Sequence, residues 1–327
     1  MAVASSVPAA INPSGRPRYR CPVRATGLAA LVSVLALAAT AGGATVPADL
    51  VPSRLTLQVA DLPAARIDSQ GPLHERGYAG AYQRTFVYKA PSGRSGFVYV
   101  LSEALLANTV AEAGADLDHF RAGLTSKAGR TAYAMAIAKA LRVKVSAVRL
   151  SSPRTPRVGD HAFELPLSVQ LEGRRFFESL LYMQLDRVVN VVVSAGLRSI
   201  APAESRALAA TVAGHIADSL KPRSLAVPAV SGDAQLDAVL TATTGDWSGD
   251  ATFAFQWQRC QDVATSCSDI AGATEQSYTA TDADVGFELR VVVTAANRFG
   301  TAAVASALTA AVVAPPPPPP PPELRLR

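Results

Sequence analysis

Few side chains in this 327-residue chain have the types and spacing that chemistry needs. The four histidines, His74, His119, His161 and His215, stand far apart in sequence. None falls in a His-Glu-x-x-His pattern, and there is no Gly-x-Ser-x-Gly elbow and no Gly-x-x-x-x-Gly-Lys phosphate loop. Asp160-His161 beside Glu164 comes nearest to an acid/base group, with a solvated histidine at a strand start as the alternative. Asp282-Ala283-Asp284-Val285-Gly286 has the opening pattern of a calcium loop, but Val293 stands where the twelfth-position glutamate belongs. The competing reading of that stretch is a corner between strands. Cys260 and Cys267 flank six residues, which sets them at the two bases of a hairpin, where paired strands bring Cα atoms within disulfide reach. A metal or redox pair would call for a spacing of two and a nearby histidine. A disulfide is therefore expected, stabilising by roughly 2–3 kcal/mol through the short loop it closes. Trp247 lies in the turn-rich run Thr244-Gly245-Asp246-Trp247-Ser248-Gly249-Asp250, so its exposed ring is the candidate for stacking on a ligand such as a sugar. No catalytic, cofactor-binding or metal-ligating residue is assigned, and no cofactor is implied.

These residues need elements to position them. Phe253, Phe255 and Trp257 alternate with Ala254, Gln256 and Gln258, a period of two that puts the aromatics on one face of a strand. Trp257 is the expected core pivot. Leu236–Thr243, Ser277–Thr279, Phe287–Ala296 and Thr301–Val313 supply further strands. Gly245, Gly249, Gly272, Gly286 and Gly300 separate them, as in a small all-β sandwich.

The motifs of this region keep a characteristic order. Val230-Ser231-Gly232-Asp233-Ala234 is followed by Leu240-Thr241-Ala242-Thr243-Thr244-Gly245-Asp246-Trp247-Ser248-Gly249 and Phe255-Gln256-Trp257-Gln258-Arg259-Cys260. Ile270–Thr274, Tyr278-Thr279, Asp282–Gly286 and Val291–Asn297 continue it. Residues 228–313 resemble a bacterial immunoglobulin-like repeat of secreted proteins. The resemblance implies a spacer or adhesive module and no enzyme. It covers about a quarter of the chain, and a single copy is present where such repeats usually come in tandem.

The remainder divides into three parts. Residues 1–44 carry Arg16, Arg18, Arg20 and Arg24, no acid, and an apolar run from Leu28 to Ala39 before small residues, which reads as a signal peptide. An uncleaved membrane anchor is the alternative. Those four arginines account for most of the formal charge of +5, so the mature chain is nearly neutral and nothing points to nucleic acid. Residues 50–222 are expected to form an α+β domain, an antiparallel sheet with packed helices, all on one face. Its expected elements are a short strand at Arg54–Val59 and a hairpin of Ala81–Tyr88 with Phe97–Leu101. Helix follows over Thr109–Leu141, broken at Gly129, and then an alternating segment Val143–Leu150. A second hairpin surrounds Glu172-Gly173, Arg187–Ser194 is a central strand, and Pro202–Leu220 is an amphipathic helix with Leu208, Val212, Ile216 and Leu220 in one stripe. The element order resembles the α/β/α sandwich of small secreted bacterial lipoproteins and of photosystem-associated lumenal proteins, which implies no function. Residues 314–327 hold eight prolines, Pro315–Pro322, a polyproline II rod of about 25 Å.

Together these features predict an exported, non-enzymatic envelope or extracellular protein. The α+β domain would bind or sense, and the immunoglobulin-like module would be spacer or adhesin. A cell-wall polymer or another envelope protein is the expected partner, with a membrane involved only if the leader stays uncleaved. The alternative is an envelope enzyme whose site lies in residues 50–222, with the second module as a targeting appendage.

Overall fold

The computed structural model describes residues 50–75, 77–88, 96–261 and 266–314. The expected signal segment, the proline run and residues 89–95 of the first expected hairpin lie outside the described residues.

Seven antiparallel strands form the sheet of the first domain. They are β1 (Ala65–Leu73), β2 (Tyr78–Tyr88), β3 (Phe97–Ala107), β4 (Val148–Leu150), β5 (His161–Leu171), β6 (Arg174–Leu185) and β7 (Val188–Gly196), in the spatial order β1-β2-β3-β7-β6-β5-β4. Both expected hairpins are present. The β5–β6 turn is the two-residue loop Glu172-Gly173, with Leu171 opposite Arg174 and positive φ at both loop residues (49° and 78°). Two positive φ values are what a type I′ turn demands, and glycine supplies one without strain.

Three helices complete the domain: α1 (Val110–Thr125), α2 (Lys127–Leu141) and α3 (Pro202–Leu220). The helical segment breaks at Ser126, three residues before the expected Gly129. Ser126 ends α1 and caps α2, its Oγ accepting from Gly129 N at 3.0 Å. Gly129 has a different task. A Cβ there would collide with the Gly123 carbonyl, so the two helices can fold back closely only if residue 129 has no side chain.

The helices do not share one face, which corrects the single-layer expectation. Leu117, Phe120, Leu124, Tyr133 and Ile137 of α1 and α2 pack on Leu101, Val191, Val193, Leu180 and Phe163. Leu208, Ala209, Val212 and Ile216 of α3 pack on Val100, Leu106, Val192, Leu181 and Met183 on the opposite face. The cause is in the central strands. β7 is buried throughout, so odd and even residues each present an apolar face to be covered.

Arg54–Val59 is also not a strand. Pro52–Leu55 and Val59–Asp61 are 3-10 turns lying across the α3 face, with Leu55 and Leu57 fully buried. Side chains of the sheet satisfy their backbone. Asn190 Nδ2 donates to Leu55 O (2.9 Å), Leu57 N donates to Ser102 Oγ (3.1 Å), and Arg84 Nη1 donates to Leu57 O (2.6 Å). These bonds replace the ladder that a strand would need. Val143–Leu150 likewise reduces to a 3-10 turn, Val145–Ala147, and the edge strand β4.

The second domain contains β8 (Ser224–Ala226), β9 (Val230–Ser231), β10 (Val239–Ala242), β11 (Asp246–Trp247), β12 (Thr252–Cys260), β13 (Cys267–Asp269), β14 (Ser277–Thr279), β15 (Glu288–Asn297) and β16 (Gly300–Ala305). Sheets β14-β10-β9 and β13-β12-β15-β16 enclose one small core, and β8 pairs with β11. Trp257 is its fully buried pivot, with Nε1 donating to Glu275 O at 3.0 Å. The aromatic face is incomplete, since Phe255 is half-buried and Phe253 is 40% exposed at the end of the strand.

The β15–β16 turn grips the first domain. Arg298 donates to both Asp160 oxygens (2.7 and 2.8 Å) and to Asp186 Oδ2 (3.1 Å). Asn297 Nδ2 donates to Leu220 O (2.8 Å), and Phe299 packs against the α3-face core. The Arg298 side chain is half-exposed, so the ion pairs are screened and Arg298→Ala will cost at most about 1 kcal/mol. Arg298→Asp, which sets three carboxylates together, will separate the domains. A larger radius of gyration in solution scattering and faster proteolysis between residues 221 and 228 will report it.

Candidate functional site

The residues singled out in the sequence land in separate places. Cys260 and Cys267 face each other across β12 and β13, joined as a disulfide with Cα atoms 4.0 Å apart. Asp160 and His161 do not join Glu164. His161 is exposed, Asp160 serves the Arg298 clasp, and Glu164 is buried on the α3 face. There its Oε1 accepts from Ser179 and Ser205, both at 2.7 Å, tying the first turn of α3 to the sheet. His215 lies 2.9 Å from Asp61 Oδ2, while His74 and His119 are exposed. Among the described residues no group of three His, Cys, Asp or Glu could hold a metal ion.

Asp284 occupies the corner before β15, and its carboxylate is filled by protein. Oδ1 accepts from Arg259 Nε (2.8 Å) and Nη2 (2.6 Å). Oδ2 accepts from Tyr278 OH (2.7 Å), Thr281 N (2.7 Å) and Thr281 Oγ1 (2.8 Å). Five donors leave no room for a calcium ion, so the stretch is a structural corner. Trp247, the candidate for ligand stacking, is half-buried. Its Nε1 donates to Thr244 O (2.7 Å) and its ring centroid is 6.2 Å from Phe253.

A different group of residues stands out in the first domain, on the face covered by α1 and α2. Glu178 of β6 is 5% exposed, in register with Ala195 of β7 and Leu167 of β5. Glu103 of β3 is 9% exposed on the same face. Among the described residues neither carboxyl has a hydrogen-bonding partner or a cation. Burial without compensation disfavours the charged form. Burial alone pushes Glu178 up to about 8. Burial, and then the charge of Glu75, push Glu103 up to about 7.

Tyrosines surround these acids. Tyr133 of α2 and Tyr99 of β3 are both buried; burial and then the Glu178 charge raise the Tyr133 hydroxyl, and burial raises that of Tyr99, against a lowering contact from Thr85 and with a smaller push from Glu178. The Tyr99 hydroxyl and Thr85 Oγ1 are fully buried without a hydrogen-bond partner. Tyr182 stacks on Phe120 with centroids 3.8 Å apart. At the Glu178 end a small cavity of about 10 Å³ is lined by Leu141, Val169, Leu171, Phe176, Phe177, Glu178 and Ala195. Leu141, Leu171, Phe176 and Phe177 are the half-buried residues of this lining and mark its mouth.

The sequence reading missed both acids, although a signal was present. Glu103 sits between Leu101 and Leu105, and Glu178 between Phe176 and Leu180, in strands of period two. An acid at an inward position of an apolar face is the exception that marks a site.

No protein-family model matches this chain, and no curated protein does. Among solved structures, the extracellular domain of PknH from Mycobacterium tuberculosis is similar to 54% of this chain over 100% of its own length, with 8% identity and a TM-score of 0.34. Among the described residues no helix is long and apolar enough to cross a membrane.

Proposed function

We propose that this chain is an exported envelope or extracellular protein whose first domain binds or senses a ligand. Its second domain, taken as the immunoglobulin-like module its motifs resemble, serves as spacer or adhesion unit. The observation that carries this reading is that two buried carboxyls of the first domain stand without partners, unlike the satisfied Glu164 of the same domain and Asp284 of the second. In the second domain Asp284 is saturated by its own neighbours, the signature of a structural part. In the first, Glu178 and Glu103 are buried without partners, a costly arrangement that folds keep where function uses it. The Cys260–Cys267 disulfide supports export, since such bonds persist in oxidising compartments. A cell-wall polymer or another envelope protein is the partner proposed for the chain.

Cells making the natural protein test the reading. An impermeant maleimide and external protease are added to intact cells. The expected outcome is digestion without lysis, with Cys260 and Cys267 labelled only after reduction. Protection from protease until lysis, with both thiols reactive, would overturn export and with it the proposed role.

A further inference from the structure

We propose that the cavity over Glu178 is a binding site for the cationic nitrogen of a small alkylammonium compound, with the apolar tail seated at its mouth. The inference rests on the first domain being the ligand-binding part. Its grounds are chemical and geometric. Glu178, which lines the cavity, is 5% exposed, and its carboxyl has no partner among the described residues. Among the described residues no lysine, arginine or histidine lines the cavity, which leaves the place of the cation to a ligand. The volume of about 10 Å³ suits one water-sized group, which an ammonium head matches and a ring or a phosphate does not. The mouth of Leu141, Leu171, Phe176 and Phe177 offers only hydrocarbon, so it favours an alkyl chain over a hydrated metal ion. Phe176 adds an aromatic ring beside the entry, a surface that attracts cations.

The ligand competes with a proton for the carboxylate. Glu178 titrates at about 8, so binding strengthens as pH rises from 6 to 9. An alkylammonium, like a lysine amine of pKa about 10.4, keeps its charge over that range. Binding to the ionised form also draws the Glu178 titration to lower pH.

Ethylammonium chloride is the probe, with sodium chloride at equal ionic strength as control, on the full chain. Thermal unfolding is followed by helical circular dichroism, which reports the first domain because α1, α2 and α3 all lie there. At pH 9 ethylammonium should raise the midpoint above the sodium control, and at pH 6 the difference should shrink. Glu178→Gln should weaken binding roughly tenfold or more, since it removes a charge-assisted contact. Equal midpoints with both salts at pH 9 overturn the site. So does a selective shift that survives Glu178→Gln, because ethylammonium then acts elsewhere. Should the variant not fold, the carboxyl carbon resonance of Glu178 in the unaltered protein decides. Movement of its titration to lower pH with ethylammonium supports the site, and an unmoved titration overturns it. Either failure leaves the export result untouched, so the two readings fail separately.

Discussion

Asp284→Ala will unfold the second domain at denaturant concentrations that leave the first domain intact. The substitution removes an acceptor that serves five donors at once. Asp284 is fully buried and the Arg259 side chain three-quarters so, and removing one partner of a buried pair strands the other. Such losses run to about 3–5 kcal/mol, a large part of the stability of a domain this small. Asp284→Asn keeps an acceptor and should cost less. Both tryptophans, Trp247 and Trp257, lie in the second domain, so their fluorescence follows its unfolding alone. The pH dependence has a definite sign. Burial pushes the Asp284 carboxyl up, but the Thr281 amide, Tyr278, the Thr281 hydroxyl and Arg259 outweigh it and hold it below the ordinary range. Its contribution is thus complete above the unfolded value of about 3.9 and is lost as pH falls through the folded one. The variant should lose this acid sensitivity. An unchanged tryptophan transition would show that the five bonds carry no net stability.

What could be read from the sequence depended on whether the cause was local. The β5–β6 hairpin was legible because Glu172-Gly173 fixes its own turn, and α3 because its stripe and Pro202 are carried by consecutive residues. The disulfide was legible because seven positions of separation suit a hairpin base. The segment Arg54–Val59 was not, since its backbone bonds come from Arg84, Ser102 and Asn190, remote in sequence. Gly129 looked like a break for a similar reason, its partner being Gly123 on the neighbouring helix. The single-layer expectation failed because element order does not say which face a helix covers, and the unbroken burial of β7 leaves both faces to be covered. The acids of the candidate site were hidden differently. An inward glutamate looks like any strand glutamate until the facing helix is known, and α2 contributes Tyr133 from forty-five positions away.

Glu178→Gln will stabilise the first domain at alkaline pH and change little in acid. In the unfolded chain a glutamate titrates at about 4.3. Folded, Glu178 titrates at about 8. The raised value means that its contribution is fully present below about pH 4.3 and is lost as pH rises through about 8. Above that, folding must either bury an unpaired charge or take up a proton from solution. The groups facing it offer no relief: Tyr133 from α2 and Tyr99 from β3 are neutral, and the rest of the cavity wall is apolar. Glutamine matches the protonated acid in size and has no charge to lose. Near pH 4 the variant and the natural protein should therefore unfold together, and near pH 8.5 the variant should be more stable by a few kcal/mol, on the order of the displaced titration. Glu103→Gln should act in the same direction over a lower range, since Glu103 titrates at about 7. The two acids lie on one face, so the double variant should flatten the pH profile of the helical transition further than either alone. Denaturant titrations at the two pH values, followed by circular dichroism, measure the effect. Equal stabilities of variant and natural protein at pH 8.5 would mean that Glu178 reaches solvent or a partner when ionised, and would remove the physical basis for treating its cavity as a site.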